Sequence, residues 1–287
     1  MAAATVTLSD GRRLAYDLSG PVDAPVVLLS NSLMTNFHAW DPFTAELQSK
    51  GFRVLRWDLP GHGGSSAPQD VSSTTFPSIS ADVAALVAAL KIERIHAWIG
   101  ISMGAALGVY FVTQNPGVVR NLVVADTITS SPVNAGTPDV FAPRVELAQK
   151  DSNAIATLAE QTLERWFSAE WREANPAETD RMRQLLRTTT REGYITCCHA
   201  LRDRSFDLRP LLKRVGSSVE SALLVVGELD ANLPTTMEEM RQEIQGGQTS
   251  EVRLVVIPKA GHVPVIDGRE RFYEEVLRFI ERPLGKI

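Results

Sequence analysis

Gly100-Ile101-Ser102-Met103-Gly104 places a serine two residues from a glycine on each side. This is G-x-S-x-G, the signature of a sharp turn that lifts a nucleophilic serine above the end of a strand. Chance alone gives about 0.1 such matches in a chain of this length, so the setting decides its weight. Residues 95–99 read as a buried strand and residues 103–114 as a helix, which is the strand-turn-helix context the turn requires. The glycines remove side chains that strained backbone would bring into collision. A serine hydroxyl needs a base to attack anything at neutral pH. Of the five histidines, His262 in Ala260-Gly261-His262-Val263-Pro264 follows the last expected strand. The carboxyl edge of a parallel sheet is where such folds place their sites. His62 is the rival, but Pro60 and the glycines at 61, 63 and 64 mark a structural loop. His96 and His199 fall within strand or helix patterns, and His38 just ahead of a helix. The imidazole needs an acceptor to fix its tautomer. Asp230, after the strand at 222–226, fills that role in the chain order Ser102, Asp230, His262. Asp126, directly after the strand at 122–125, is a competitor, and Glu228 is expected to face elsewhere. An oxyanion would rest on the N–H groups of Met103 and of the loop Ser30-Asn31-Ser32-Leu33-Met34, with Leu33 the donor and Ser32 second.

These residues need a frame to hold them. Residues 5–8 and 13–18 flank Asp10-Gly11, a hairpin signal. Unbroken apolar runs at 25–29, 95–99, 122–125 and 222–226, with 52–57 and 252–257, suit strands buried on both faces. Helical patterns at 42–49, 79–90, 103–114, 235–244 and 269–281 alternate with them. The expected fold class is α/β: a mostly parallel eight-stranded sheet with helices on both faces and an antiparallel edge. Between 128 and 215 the strand runs vanish. Helices are expected at 144–150, 153–167, 176–188 and 192–202, a helical lid inserted after the sixth strand. The core is then 1–127 and 216–287.

Composition narrows the partners. The chain has 287 residues with a formal net charge of −5 and no Lys/Arg run, which argues against nucleic acid and an anionic membrane. No apolar stretch approaches the roughly 20 residues that span a bilayer. The two cysteines, Cys197 and Cys198, are neighbours and cannot easily bridge each other. The start, Met1 to Val6, lacks the basic and apolar regions of a secretion signal, and Gly285-Lys286-Ile287 only distantly echoes a peroxisomal tail. A cytoplasmic protein is expected. No metal-ligand spacing and no dinucleotide fingerprint occur, so no metal and no cofactor are expected. Oligomeric state is not readable.

The chain resembles the α/β-hydrolase superfamily and, within it, is most similar to 3-oxoadipate enol-lactonases. The resemblance rests on Asn31-Ser32-Leu33 followed by Trp40-Asp41-Pro42, and on Arg56-Trp57-Asp58 leading into Gly61-His62-Gly63. The elbow at 100–104, Ala125-Asp126-Thr127, Glu164-Arg165-Trp166-Phe167 and the segment from Gly193 to Asp203 add to it. Met34, Pro60 and Ala105 depart from the family pattern, as do Leu233-Pro234-Thr235 and a lengthened stretch before Ala222.

The resemblance implies a serine hydrolase that cleaves a small-molecule ester or lactone, above all an enol-lactone, through an acyl-enzyme. Ser32 and Trp166 are then expected to contact substrate. Trp166, Phe167 and Trp171 fit a pocket wall and a lid core equally well. Arg202 and Arg204 are candidates for a substrate carboxylate, with solvated arginines the bland alternative. A general carboxylesterase, or a lactonase for a larger metabolite, is an alternative on the same scaffold. So are a slow-turnover ligand receptor and a cofactor-free oxygenase or peroxidase.

Overall fold

The apolar runs become the interior of one sheet. The computed structural model describes residues 3–151, 153–247 and 252–281; Met1, Ala2 and the Gly285-Lys286-Ile287 tail lie outside them. Eight strands stand in the order β1-β2-β4-β3-β5-β6-β7-β8. They are β1 Ala4–Thr7, β2 Arg13–Ser19, β3 Val26–Ser30, β4 Arg53–Trp57, β5 Ile95–Ile101, β6 Val119–Ala125, β7 Ser221–Gly227 and β8 Arg253–Ile257. β1 and β2 form the expected hairpin, and β2 runs antiparallel to β4. All other neighbours are parallel. β3 is buried along its whole length and β5, β6 and β7 nearly so, which is why they carry unbroken apolar runs instead of alternation.

The core helices are α1 Asp41–Ser49, α2 Phe76–Ala89 and α3 Met103–Gln114 before the insertion. In the insertion come α4 Pro132–Ala135, α5 Ala142–Lys150, α6 Ala154–Trp166, α7 Ala169–Ala174, α8 Pro176–Arg187 and α9 Arg191–Arg202. α10 Leu212–Ser218, α11 Leu233–Gln245, α12 Pro264–Asp267 and α13 Arg269–Ile280 complete the set. α6 buries Leu158, Ala159, Thr162, Leu163 and Trp166, the spacing of one helical face. It packs on α5 and α8, and α5 packs on α9. The expected boundary at 215 falls inside α10, which packs on α3 and α11 of the sheet layer. The sequence missed α4, α7, α10 and α12, each at most seven residues long and too short to show a helical period.

The insertion is tied to loops at the sheet's carboxyl edge. Thr189 Oγ1 donates to the carbonyl of Met34 at 2.9 Å, and Thr190 Oγ1 to that of Gly61 at 2.7 Å. Thr190 also caps α9 by accepting from the N–H of Gly193 at 2.9 Å. Gly193 and Gly61 touch backbone to backbone, and a Cβ on either would collide with the other.

Candidate active site

Ser102 lies between β5 and α3 with φ 55° and ψ −118°, a backbone state that L-residues rarely adopt and that functional turns hold under strain. Its N–H donates to the carbonyl of Ala125 at 2.8 Å, and its own carbonyl accepts from Ala105 and Ala106. The glycines of the motif are required by contact. A Cβ on Gly100 would strike the backbone of Gly104, and one on Gly104 would strike the backbone of Ser30. The elbow therefore rests directly on the end of β3, where the loop from Ser30 to Met34 begins.

His262 and Asp230 meet. Nδ1 of His262 is 2.7 Å from Oδ2 of Asp230, and the imidazole is 8% exposed. The backbone N–H of His262 donates to the carbonyl of Trp166 at 3.1 Å, and the two rings lie 5.7 Å apart. Gly227 and Gly261 pack so closely that a Cβ on Gly227 would strike the carbonyl of Gly261. Among the described residues, neither Nε2 of His262 nor Oγ of Ser102 has a hydrogen-bond partner, so the alcohol and the imidazole are not joined in this structure. Both stand on the sheet's carboxyl edge, after β5 and β8.

The loop after β3 is held from several sides. Asn31 Nδ2 donates to the carbonyl of Trp57 at 2.8 Å, and Trp40 Nε1 donates to Asn31 Oδ1 at 2.8 Å. The N–H of Met34 donates to Nε2 of His62 at 3.2 Å, while Nδ1 of His62 donates to the carbonyl of Pro60 at 3.0 Å. Burial pushes His62 down to about 4, so it stays neutral and Nε2 stays an acceptor. His62 is thus structural, as expected, but it shapes the site by holding Met34 at φ 69°. Among the described residues, the buried N–H groups of Leu33 and Met103 have no acceptor. Such a pair can receive a developing oxyanion. Ser32 is 4% exposed and its Oγ has no partner.

Three carboxyls surround the imidazole loop. Asp126 is 0% exposed, and its Oδ1 accepts from the N–H of Gly227 at 2.8 Å. Its Oδ2 is buried without a partner, and Asp230 is held nearby through its N–H, which donates to the carbonyl of the same Gly227 at 3.2 Å. Burial and then the charge of Asp230 push Asp126 well above the usual carboxylate range. Asp267 Oδ2 accepts from the N–H of Gly261 at 2.6 Å, and burial pushes this carboxyl up to about 7. No motif marks out Asp267, which lies on the short α12. Glu228 faces away, accepting from the N–H of Lys259 at 2.8 Å.

The helical insertion supplies a cavity of about 400 Å³ lined by Arg144, Leu158, Gln161, Thr162, Glu164 and Arg165. Thr162 Oγ1 lies 3.4 Å from the sulfur of Met34, so the cavity wall reaches the loop after β3. Arg165 lies over the ring of Trp166 and Arg144 over that of Phe141. Neither guanidinium has an acidic partner within ion-pair distance among the described residues. Arg165 is exposed to solvent on α6. Arg202 instead donates to Asp139 at 2.6 Å and is already paired, so Arg144 and Arg165 replace it as the free cations here. Trp166 and Phe167 are each 1% exposed, and Phe167 stacks on Trp171 with centroids 4.8 Å apart. These three rings form the interior of the insertion.

Comparison with known proteins agrees with this geometry. Residues 24–275 match the alpha/beta hydrolase family. The chain is 30% identical to 3-oxoadipate enol-lactonase 1 of Acinetobacter baylyi over 96% of each chain. It superposes on the enol-lactonase from Burkholderia xenovorans LB400 with TM-score 0.85 and 32% identity, covering 97% of this chain and 100% of that one. A thermophilic esterase from Thermogutta terrifontis superposes with TM-score 0.83 and 25% identity, covering 98% of this chain and 100% of that one.

Proposed function

The chain belongs to the alpha/beta hydrolase family and is a carboxylic ester hydrolase; from that premise we propose that it opens a small lactone, above all an enol-lactone, by acylating Ser102. The observation that carries the reading is the 2.7 Å contact between His262 and Asp230 on the same sheet edge as a strained serine elbow. In this reading Asp230, which faces Nδ1, is the orienting acid, and Asp126 is not.

Ser102 Oγ attacks the carbonyl carbon and gives its proton to Nε2 of His262. The contact between them forms when substrate is bound, since catalytic hydrogen bonds often tighten only then. The carbonyl oxygen gathers charge against the N–H groups of Leu33 and Met103, and losing one such donor typically raises the barrier by about 2.7–4 kcal/mol. Asp230 holds Nδ1–H and stabilises the imidazolium. Collapse breaks the bond to the leaving oxygen, which takes the proton from His262. In an enol-lactone that oxygen becomes an enol and then a ketone, still tethered to the acyl group. Water then gives His262 a proton as it attacks the acyl carbon, and Ser102 leaves with that proton.

Residues 128–215 act as a lid whose cavity receives the rest of the substrate. Two arginines without counter-ions beside the site favour a substrate bearing a carboxylate. Ser32, with its free hydroxyl, contacts the substrate near the oxyanion, and Trp166 backs the imidazole. The protein is proposed to work in the cytoplasm on a small molecule and without a cofactor.

Ser102→Ala should lower kcat on an enol-lactone by about 10³-fold or more while the circular dichroism spectrum stays the same. An organophosphonate should add its mass at Ser102 in the parent only. Unimpaired turnover by the alanine variant would refute the assignment. Aryl esters and macrolactones assayed in parallel test the broader esterase reading.

A further inference from the structure

We propose that Asp126 is a neutral carboxylic acid whose Oδ2–H donates to the carboxylate of Asp230, making it a positioning residue for the His262–Asp230 pair. The inference rests on the reading of Asp230 and His262 as members of the catalytic apparatus.

The geometry leaves little choice for the proton. Oδ1 of Asp126 accepts from the N–H of Gly227 at 2.8 Å. Oδ2 is fully buried and, as a carboxylate oxygen, would have no donor. A buried acceptor without a donor is a strained state that native interiors avoid. Its acidic neighbour is Asp230, tied to the same Gly227, and the charge of that carboxylate raises the proton affinity of Asp126. Two neighbouring carboxylates inside a protein cannot both be ionised, and one must keep a proton. Asp230 faces Nδ1 of His262 at 2.7 Å and needs its negative charge to accept that N–H. The proton therefore resides on Asp126, and the orphaned oxygen becomes a donor aimed at its neighbour. The other ionisable groups acting on this cluster are Asp267, which repels charge on both Asp126 and Asp230, and Arg165, which attracts charge on Asp230. Of the two, Arg165 favours placing the charge on Asp230.

The backbone supports the same arrangement. Asp126 sits at φ 47° immediately after β6, and its N–H donates to the carbonyl of Val225 on β7 at 3.1 Å. The N–H of Asp230 donates to the carbonyl of Gly227 at 3.2 Å. Gly227 thus holds both acids, one through its N–H and one through its carbonyl. By sharing the charge of Asp230, Asp126 keeps that carboxylate fixed on the imidazole and limits how tightly the imidazolium retains its proton.

Asp126→Asn can still donate to Asp230 and accept from Gly227; Asp126→Leu can do neither. With an enol-lactone or aryl ester as substrate, the asparagine variant should keep kcat within about threefold. The leucine variant should lose about tenfold or more in kcat, with KM nearly unchanged. Its midpoint for the acid side of the kcat/KM profile should rise by about one pH unit, because the less-shared charge of Asp230 holds the imidazolium proton more tightly. A purely structural role would not move that midpoint. Infrared difference spectroscopy of folded parent minus Asp126→Asn at pH 8.5 should show the carbonyl band of a protonated acid. This reading needs neither turnover nor a folded leucine variant. An asparagine variant as impaired as the leucine one, or the absence of that band, would overturn the proposal. Were Ser102→Ala to remain active, the functional reading would fail while the infrared result would still decide where the proton sits.

Discussion

At the residue scale, two buried groups beside the site titrate in opposite senses. Asp267 keeps its proton in the fold up to about 7, whereas an unfolded carboxyl loses it near 4. Between those values the folded state binds more protons, so this residue makes stability fall as pH rises from about 4 to 7 and then level off. His62 is held neutral down to about 4, whereas an unfolded histidine protonates near 6.5. Its contribution is complete above 6.5 and is lost as pH falls toward 4. In the parent the two slopes partly offset. Asp267→Asn keeps an acceptor for the N–H of Gly261 but does not titrate. Thermal unfolding should therefore show the variant gaining on the parent from pH 4 to 7, with its largest advantage at pH 8. A parent-minus-variant difference that stays flat with pH would discard the idea. None of this was legible in the sequence, because proton affinity here depends on burial and on neighbours from distant segments.

At the scale of elements, the contact between α9 and the loop after β4 is the most consequential joint. Gly193 and Gly61 approach at backbone distance, beside the bonds from Thr189 to Met34 and Thr190 to Gly61. Gly193→Ala forces α9 away from that loop and disturbs the support for Met34. The expected loss is about 1–3 kcal/mol, read from the urea midpoint, together with a lower kcat. An alanine variant with the parent's midpoint and kcat would show that the joint has slack. The sequence made the sheet legible because β3, β5, β6 and β7 are buried on both faces and must be apolar throughout. It made Ser102 legible because the elbow needs Gly100 and Gly104. It favoured Asp230 with Asp126 as the competitor, since both end strands at the same edge. In the structure Nδ1 of His262 lies on Asp230. The pairing of Arg202 with Asp139 was not legible, because Asp139 lies on a loop whose fold no local pattern announces.

At the scale of the whole molecule, the chain joins a rigid sheet edge to a helical insertion carrying Arg144 and Arg165. Positive charge without an ion-pair partner at this cavity should sort substrates by charge. Mono-p-nitrophenyl glutarate and p-nitrophenyl valerate are similar in length but differ in a terminal carboxylate. The parent should favour the glutarate by about tenfold in kcat/KM, a difference of about 1.4 kcal/mol. Arg165→Met and Arg144→Met should reduce that preference while sparing the valerate. Equal losses on both esters would instead point to damaged packing. The ties between insertion and core also matter before any ester arrives. Asn31, His62 and Thr189 already clasp the loop that ends at Met34. The dipoles that would greet nascent charge are thus installed during folding, and little solvent or chain has to be rearranged as the reaction proceeds. A tetrahedral boronate should accordingly be captured by a ready-made cradle, whereas the flat acid released as product finds fewer reasons to stay.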